Sequence, residues 1–285
     1  MVINLIEPAN TEAKRLTKQL KVVKKSLERN PRDLNLLFQR GYILYQLQKY
    51  EAAKDVFSKA IEVEPNFADG FNARSIVNHA LGKFSDAIYD CEHALSINPR
   101  YKEALLNLAR AQKELHQHDE ALHNYTKAIA LDQKYFKGFL GRAQIWKILN
   151  HHEKALVDLN KALLLDPSSA TALFNRGTVQ KELGRLDESL ADLQKAIALQ
   201  PNLAEAHNNL GNVLRELDQL DAAINSYEQA IAINPDFVEA HNNLGNTLQE
   251  LDRLEESEAS LRRAIELKPD YAEAYNNLCS ILSGL

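Results

Sequence analysis

The sequence predicts an all-α fold, a superhelical solenoid of stacked antiparallel helix pairs. Three observations predict it. From Pro31 onward the prolines fall on a lattice of 34 residues, at Pro31, Pro65, Pro99, Pro167, Pro201, Pro235 and Pro269, broken only at Gln133. A strict period of this length marks a repeat array. When each repeat is counted so that proline takes position 32, position 27 is alanine in all seven complete repeats (Ala60, Ala94, Ala128, Ala162, Ala196, Ala230, Ala264). Apolar residues recur at i, i+3 and i+4 in both halves of every repeat, which is the period of a helix face.

The elements follow in order. Residues 1–10 read as an N-terminal extension, in which Val2 to Ile6 is short and apolar and has no assigned place. Residues 11–29 read as one helix, with Thr11 as N-cap and an apolar stripe of Leu16, Leu20, Val23 and Leu27. Lys14, Lys18, Lys21 and Lys25 lie off that stripe. The span 11–33 takes the place of the second helix of a degenerate repeat and caps the array. Seven units follow, at 34–67, 68–101, 102–135, 136–169, 170–203, 204–237 and 238–271. In each, small residues at positions 8, 20 and 27 let two helices approach, and larger ones at 4, 7, 11, 17 and 24 fill the space between them. Positions 15 to 18 hold the turn, as in Leu81-Gly82-Lys83 and Leu183-Gly184-Arg185. The position-32 proline cannot continue the second helix and restricts the residue before it. Residues 272–285 make one further helix, whose Leu278, Ile281 and Leu282 would need a cover.

This pattern resembles the tetratricopeptide repeat family. The period, Gly or Ala at position 8, Ala at 20 and 27 and Pro at 32 all match, over residues 34–285. The resemblance implies a right-handed superhelix whose inner face is lined by the first helix of each pair, through positions 2, 5, 6, 9, 12 and 13. It says little about the partner, because the family binds many.

Charge and composition narrow the function. The formal net charge is −5, and residues 204–285 carry five basic against 15 acidic side chains. Phosphate binding wants clustered Lys and Arg, so nucleic acid is not the expected partner. No apolar run reaches the length of a membrane span, so no membrane insertion is expected. No Gly-rich phosphate loop, His-Glu-x-x-His or nucleophile elbow is present, and the chain reads as a non-enzyme without cofactor. His116 and His118 fall in one turn and His151 and His152 in the next; ring packing is the favoured reading over a metal site, since His118 and His152 occupy position 17, which is aromatic or Leu elsewhere. His207 and His241 take packing position 4. Cys91 and Cys279 take positions 24 and 8, more than five repeats apart, and read as buried thiols in a reducing compartment, which the expected cytoplasmic location supplies.

The inner face is where the sequence is specific. Asparagine fills position 6 at Asn107, Asn175, Asn209, Asn243 and Asn277, position 5 at Asn208, Asn242 and Asn276, and position 9 at Asn212 and Asn246. Asparagine is a poor helix residue, so the rows need a reason. A carboxamide donates and accepts, and a row can pair with the main chain of an extended peptide. The pattern is similar to the asparagine ladder of the O-linked N-acetylglucosamine transferase repeats, which holds polypeptide in that way. The competing reading is hydrogen bonding between neighbouring helices. Toward the N-terminus, Phe38, Leu106, Leu140 and Phe174 at position 5 suggest an apolar floor. Lys113, Lys147, Lys181 and Arg215 at position 12 form a basic row, followed by Glu114, Glu182, Glu216 and Glu250 at position 13. Floor and row together suit a segment with hydrophobic anchors and acidic residues; charge mixing on a solvated edge is the alternative. No Lys stands at position 5 and no Lys or Arg at position 6, so the carboxylate clamp of chaperone-tail binders is not expected.

Three readings result. The first is an interaction scaffold holding a protein or extended peptide segment in the groove. The second is the substrate-recruiting arm of a larger enzyme such as a glycosyltransferase. The third is self-assembly through the exposed ends of the solenoid, giving dimers or filaments, with a homo-oligomer through the C-terminal helix as one form.

Overall fold

The computed structural model describes residues 7–284, with side chains described from 12 to 282. Among the described residues all regular structure is helical. A long α1 (Glu7–Arg29) comes first. The first helices of the pairs are α2 (Leu34–Gln46), α4 (Ala68–Ala80), α6 (Lys102–Glu114), α8 (Phe136–Ile148), α10 (Ala170–Glu182), α12 (Ala204–Glu216), α14 (Val238–Glu250) and α16 (Ala272–Gly284). The second helices are α3 (Tyr50–Val63), α5 (Phe84–Ile97), α7 (His118–Leu131), α9 (His152–Leu165), α11 (Leu186–Leu199), α13 (Leu220–Ile233) and α15 (Leu254–Leu267). The chain divides into two compact units, Met1–Ile145 and Trp146–Leu285, with the division inside α8. Within each unit the helices pack on their pair partners and on the first helix of the next pair, giving the expected solenoid of helix hairpins.

The first helix begins at Glu7, four residues before the expected start, and runs through Thr11, which is therefore not its cap. Pro8 permits this, because a proline in the first turn lacks an N–H that would have no helical partner anyway. Val2 to Ile6 lie outside the described residues. Leu16, Leu20, Val23 and Leu27 are all buried against α2 and α3, so α1 closes the start of the first unit.

The turn within each pair is shorter than expected, with position 17 already helical. Position 15 has positive φ in every complete repeat: Gln48, Gly82, His116, Asn150, Gly184, Asp218 and Asp252. The N–H of position 16 returns to the carbonyl five residues back, as in Lys83 to Asn78 and Lys49 to Leu44. This is the Schellman closure, and its left-handed residue explains the glycines and small polar residues found there. It also accounts for His116 without a ligand role. Replacing His116 by glycine is expected to raise stability by about 1 kcal/mol, measured by denaturant unfolding, because glycine adopts this conformation without a Cβ penalty.

The second helices end one residue before position 31, which is extended ahead of the proline (Glu64 φ −134°, Asn98 φ −128°). Asp132 has the same conformation (φ −147°) although Gln133 follows it. Its carboxylate accepts from the Lys134 N–H at 2.9 Å and pairs with Lys102, so side-chain bonding stops the helix where the proline is missing.

The pair interface follows the small-and-large pattern. Positions 20 and 27 are at most 1% exposed in every complete repeat, as are Phe57, Cys91, Tyr125, Leu159, Leu193, Tyr227 and Leu261 at position 24. A Cβ on Gly211 would sit 2.5 Å from the Tyr227 ring, so glycine there is a matter of close approach. Where position 20 is serine, its hydroxyl donates to the carbonyl of the glycine at position 8 (Ser189 to Gly177, Ser257 to Gly245).

Position 7 departs from the expected apolar filling. Arg74 pairs with Asp90 (Nη2–Oδ1 2.6 Å, Nε–Oδ2 3.0 Å), and its Nη1 donates to Ser58 on the preceding second helix. Arg176 repeats this with Asp192 and Asn160. Each guanidinium thus staples three helices through residues 16 positions before and after it. In the first repeat position 23 is Val56, and Arg40 Nε is left buried without a hydrogen-bond partner.

At the far end Leu278 and Ile281 are buried against α14 and α15, contrary to the expectation that they need a cover, while Leu282 is exposed. Cys91 is buried and burial pushes its thiol up to about 12, but Cys279, expected to be buried, is exposed.

Candidate functional site

The asparagine rows sort into two kinds. Position 5 points under the first helix of the next repeat. Asn72, Asn208 and Asn242 are buried there, and each accepts from the position-6 asparagine one repeat on: Asn107 to Asn72 at 2.9 Å, Asn243 to Asn208 at 3.0 Å, Asn277 to Asn242 at 2.9 Å. Asn242 also donates to Glu273. Asn209 donates to Thr178, and Asn212 accepts from the Tyr227 hydroxyl. Asn175 is buried, donating to the Thr171 carbonyl and accepting from Lys147. Asn246 and Asn276 alone among the expected asparagines make no hydrogen bond to the described residues. The rows are therefore mainly bonds between neighbouring first helices. Replacing Asn243 by alanine leaves the Asn208 oxygen buried and unpaired, and is expected to cost about 1–3 kcal/mol in thermal or denaturant unfolding.

The expected apolar floor is corrected in the same way. Leu106 is buried at 4% exposure, and Phe38 packs on Phe57 and Phe67, with ring centroids 5.6 and 5.5 Å apart. Leu140 and Phe174 are half-buried. Phe38 and Leu106 thus fill the stack of the first unit. The basic row is largely neutralised. In the second unit Lys181 lies 3.5 Å from Glu216 and Arg215 4.0 Å from Glu250, one repeat on in each case. Lys147 is half-buried, and burial pulls its pKa down. In the first unit Lys113 pairs with its neighbour Glu114.

The open groove lies in the first unit, on the face made by α2, α4, α6 and the part of α8 that belongs to this unit. It has a volume of about 440 Å³. Tyr42, Tyr45 and Ile76, at positions 9 and 12, supply its apolar walls, and Asn107, Arg110 and Lys113 its polar ones. Tyr42 is 54% exposed. Arg110 has no ion pair among the described residues. His79 also lines the groove; its Nε2 is buried without a hydrogen-bond partner, and its ring meets the edge of Phe84. Burial first, and then Arg110 and Lys113, hold its pKa down, with Glu114 acting the other way. An apolar wall beside an unpaired guanidinium and an unsatisfied imidazole suits a segment that carries a hydrophobic anchor and a carboxylate. Of the inner-face residues named from the sequence, Asn107, Lys113 and Glu114 line this groove. Tyr42, Tyr45, Ile76 and Arg110 are not among the residues expected from the sequence, although they stand at positions 9 and 12, which the repeat pattern places on the inner face.

The histidines have structural contacts. His207 and His241 reach the carbonyls of Pro201 and Pro235 through Nε2, tying the loop to the helix it precedes. His116 and His118 pack edge to face, and His151 lies on Trp146. Among the described residues no three His, Cys, Asp or Glu side chains come together as a metal site, and no helix is long and apolar enough to cross a membrane.

Sequence profiles of known families match most of the repeats. Profiles described as tetratricopeptide repeat match residues 35–67, 79–145 and 238–271, and one described as TPR repeat matches 179–218 and 211–252, together more than half of the chain. The chain belongs to the tetratricopeptide repeat family. No curated protein sequence matches it. Among solved structures it is similar to a chain of the APC/C hetero-tetramer Cut9–Hcn1, at 19% identity and TM-score 0.75, covering 94% of this chain and 52% of that one. This tetratricopeptide repeat chain thus spans about half the length of that relative. It is also similar to YrrB, described as a TPR protein with an unusual peptide-binding site (24% identity, TM-score 0.54, 65% and 96% covered). A third is TTC0263, a thermophilic TPR protein of Thermus thermophilus (26% identity, TM-score 0.53, 64% and 99% covered). These likenesses carry the fold; the family suggests a protein-interaction scaffold.

Proposed function

We propose that this chain is a non-enzymatic scaffold that holds a protein segment against its first helices, with the main anchor site in the groove of the first unit. The carrying observation is the meeting of Tyr42, Tyr45 and Ile76 with the unpaired Arg110 and the unsatisfied His79 Nε2. The segment presents an apolar side chain to the tyrosines and an acidic one to Arg110. Peptide binding described for YrrB is consistent with such a use of the fold. Asn246 and Asn276 remain for main-chain contacts in the second unit. Most of the asparagines that, with the acidic units 204–237 and 238–271, prompted the enzyme-arm reading are bonded within the stack, so the scaffold reading is the better supported. An array of immobilised short peptides tests the proposal: binders should combine acidic and large apolar residues, and Arg110→Glu should remove them while Asn243→Ala should not.

A further inference from the structure

The outer side of the first unit holds a larger and more apolar cavity than the inner groove. It lies where α5, α6 and α7 meet and has a volume of about 620 Å³. Its floor is Leu105 and Leu108 of α6, and Leu95, Pro99 and Leu131 wall it. The corresponding place in the second unit, over α10 between α9 and α11, is about 350 Å³. The difference has a local cause. In the second unit Arg176 at position 7 lines the notch, held by Asp192 at position 23 and by Asn160. In the repeat 102–135 position 7 is Leu108 and position 23 is Asn124, whose amide is turned to Gln112. The staple that crosses the neighbouring repeat, Arg74 with Asp90, is thus replaced here by an open apolar notch. Two charged residues face each other across it, Glu92 on α5 and Lys127 on α7. Both are exposed, and neither has an ion pair or hydrogen bond among the described residues.

We propose that this notch is a second docking site, for an amphipathic helix of a partner protein. The helix would insert a Leu- or Phe-sized side chain over Leu105 and Leu108, and carry an acidic residue toward Lys127 and a basic one toward Glu92. The opposite charges on the two walls decide the occupant. A single-signed ligand such as an anionic lipid surface matches one wall and opposes the other, whereas a helix with unlike edges matches both and is held in one direction. The site uses no residue of the inner groove and stands independently of it.

The test uses the whole chain and a fluorescein-labelled amphipathic peptide, with leucines on one face, glutamates along one edge and lysines along the other. The variant Leu108→Arg with Asn124→Asp closes the notch with the ion pair that the chain already uses at Arg74 and Asp90, so it should fold at least as stably as the parent. It is expected to weaken the peptide by about tenfold or more. Glu92→Lys leaves the core untouched and makes both walls basic, and should shift the preference from this peptide to one with glutamates along both edges. Arg110→Glu should leave peptide binding unchanged. Equal binding by parent and closed notch, or no shift in preference between the two peptides with Glu92→Lys, overturns the proposal. So does light scattering in which the parent dimerises and the closed-notch variant does not, since the occupant is then a second copy. Binding to anionic vesicles that Lys127→Glu abolishes, without peptide binding, overturns it as well.

Discussion

Replacing Asp90 by alanine is expected to lower the unfolding free energy by about 3–5 kcal/mol. The carboxylate is 2% exposed, takes three bonds from Arg74 and a fourth from Asn78 at 2.8 Å, and the same arginine reaches Ser58 on the preceding pair. Removing it strands a guanidinium and a buried amide together. The pair itself is worth far less than its loss costs, because taking both charges out of water offsets most of their attraction. Arg74→Leu with Asp90→Asn, the combination that the chain itself uses at Leu108 and Asn124, should therefore recover most of the stability. Denaturant titration of parent, single and double variants decides the matter. Since an array is stabilised by nearest-neighbour contacts, the single variant should lose the first unit before the second. A loss below about 1 kcal/mol in Asp90→Ala would mean that water reaches the staple.

Binding in the inner groove should depend on the aromatic and cationic residues and not on the asparagine rows. Tyr42→Ala is expected to weaken any peptide selected by the array by about 2 kcal/mol, roughly thirtyfold, as truncation of an aromatic anchor does. Tyr42 suits the test because its ring is already half outside the fold, so stability should change little. Arg110→Glu should abolish binding of acidic peptides and remove most of its salt dependence, since it turns an attraction into a repulsion. Asn209→Ala with Asn243→Ala should destabilise the second unit and leave affinity unchanged. If that double variant instead lost affinity while both groove variants kept it, the anchor would lie in the second unit, on the asparagines.

Positions 8, 20, 24 and 27 face one another within a single pair, so their sizes must match locally, and Ala60, Phe57 and Gly41 could be placed from the period alone. The arginine staple was legible in principle as Arg at position 7 with Asp at position 23 of the same repeat. Position 7, read as one column with mostly Leu in the later repeats, concealed it. Position 5 was misassigned because whether Leu106 or Asn208 meets solvent depends on the following helix, which begins some thirty residues later. Cys279 and Leu278 show the same dependence: one is exposed and one buried, on a helix of identical pattern.

The family, the all-helical fold and the buried interface of each pair were legible from the sequence alone, because period and size complementarity are local constraints. Which polar residues are free was settled by tertiary packing. Hydrogen bonds between repeats consumed most of the asparagines, ion pairs one repeat apart tied up Lys181 and Arg215, and Leu108 in place of a stapling arginine opened the outer notch. Each of these depends on the angle and distance at which one pair lies on the next, a property of packing that no single repeat encodes.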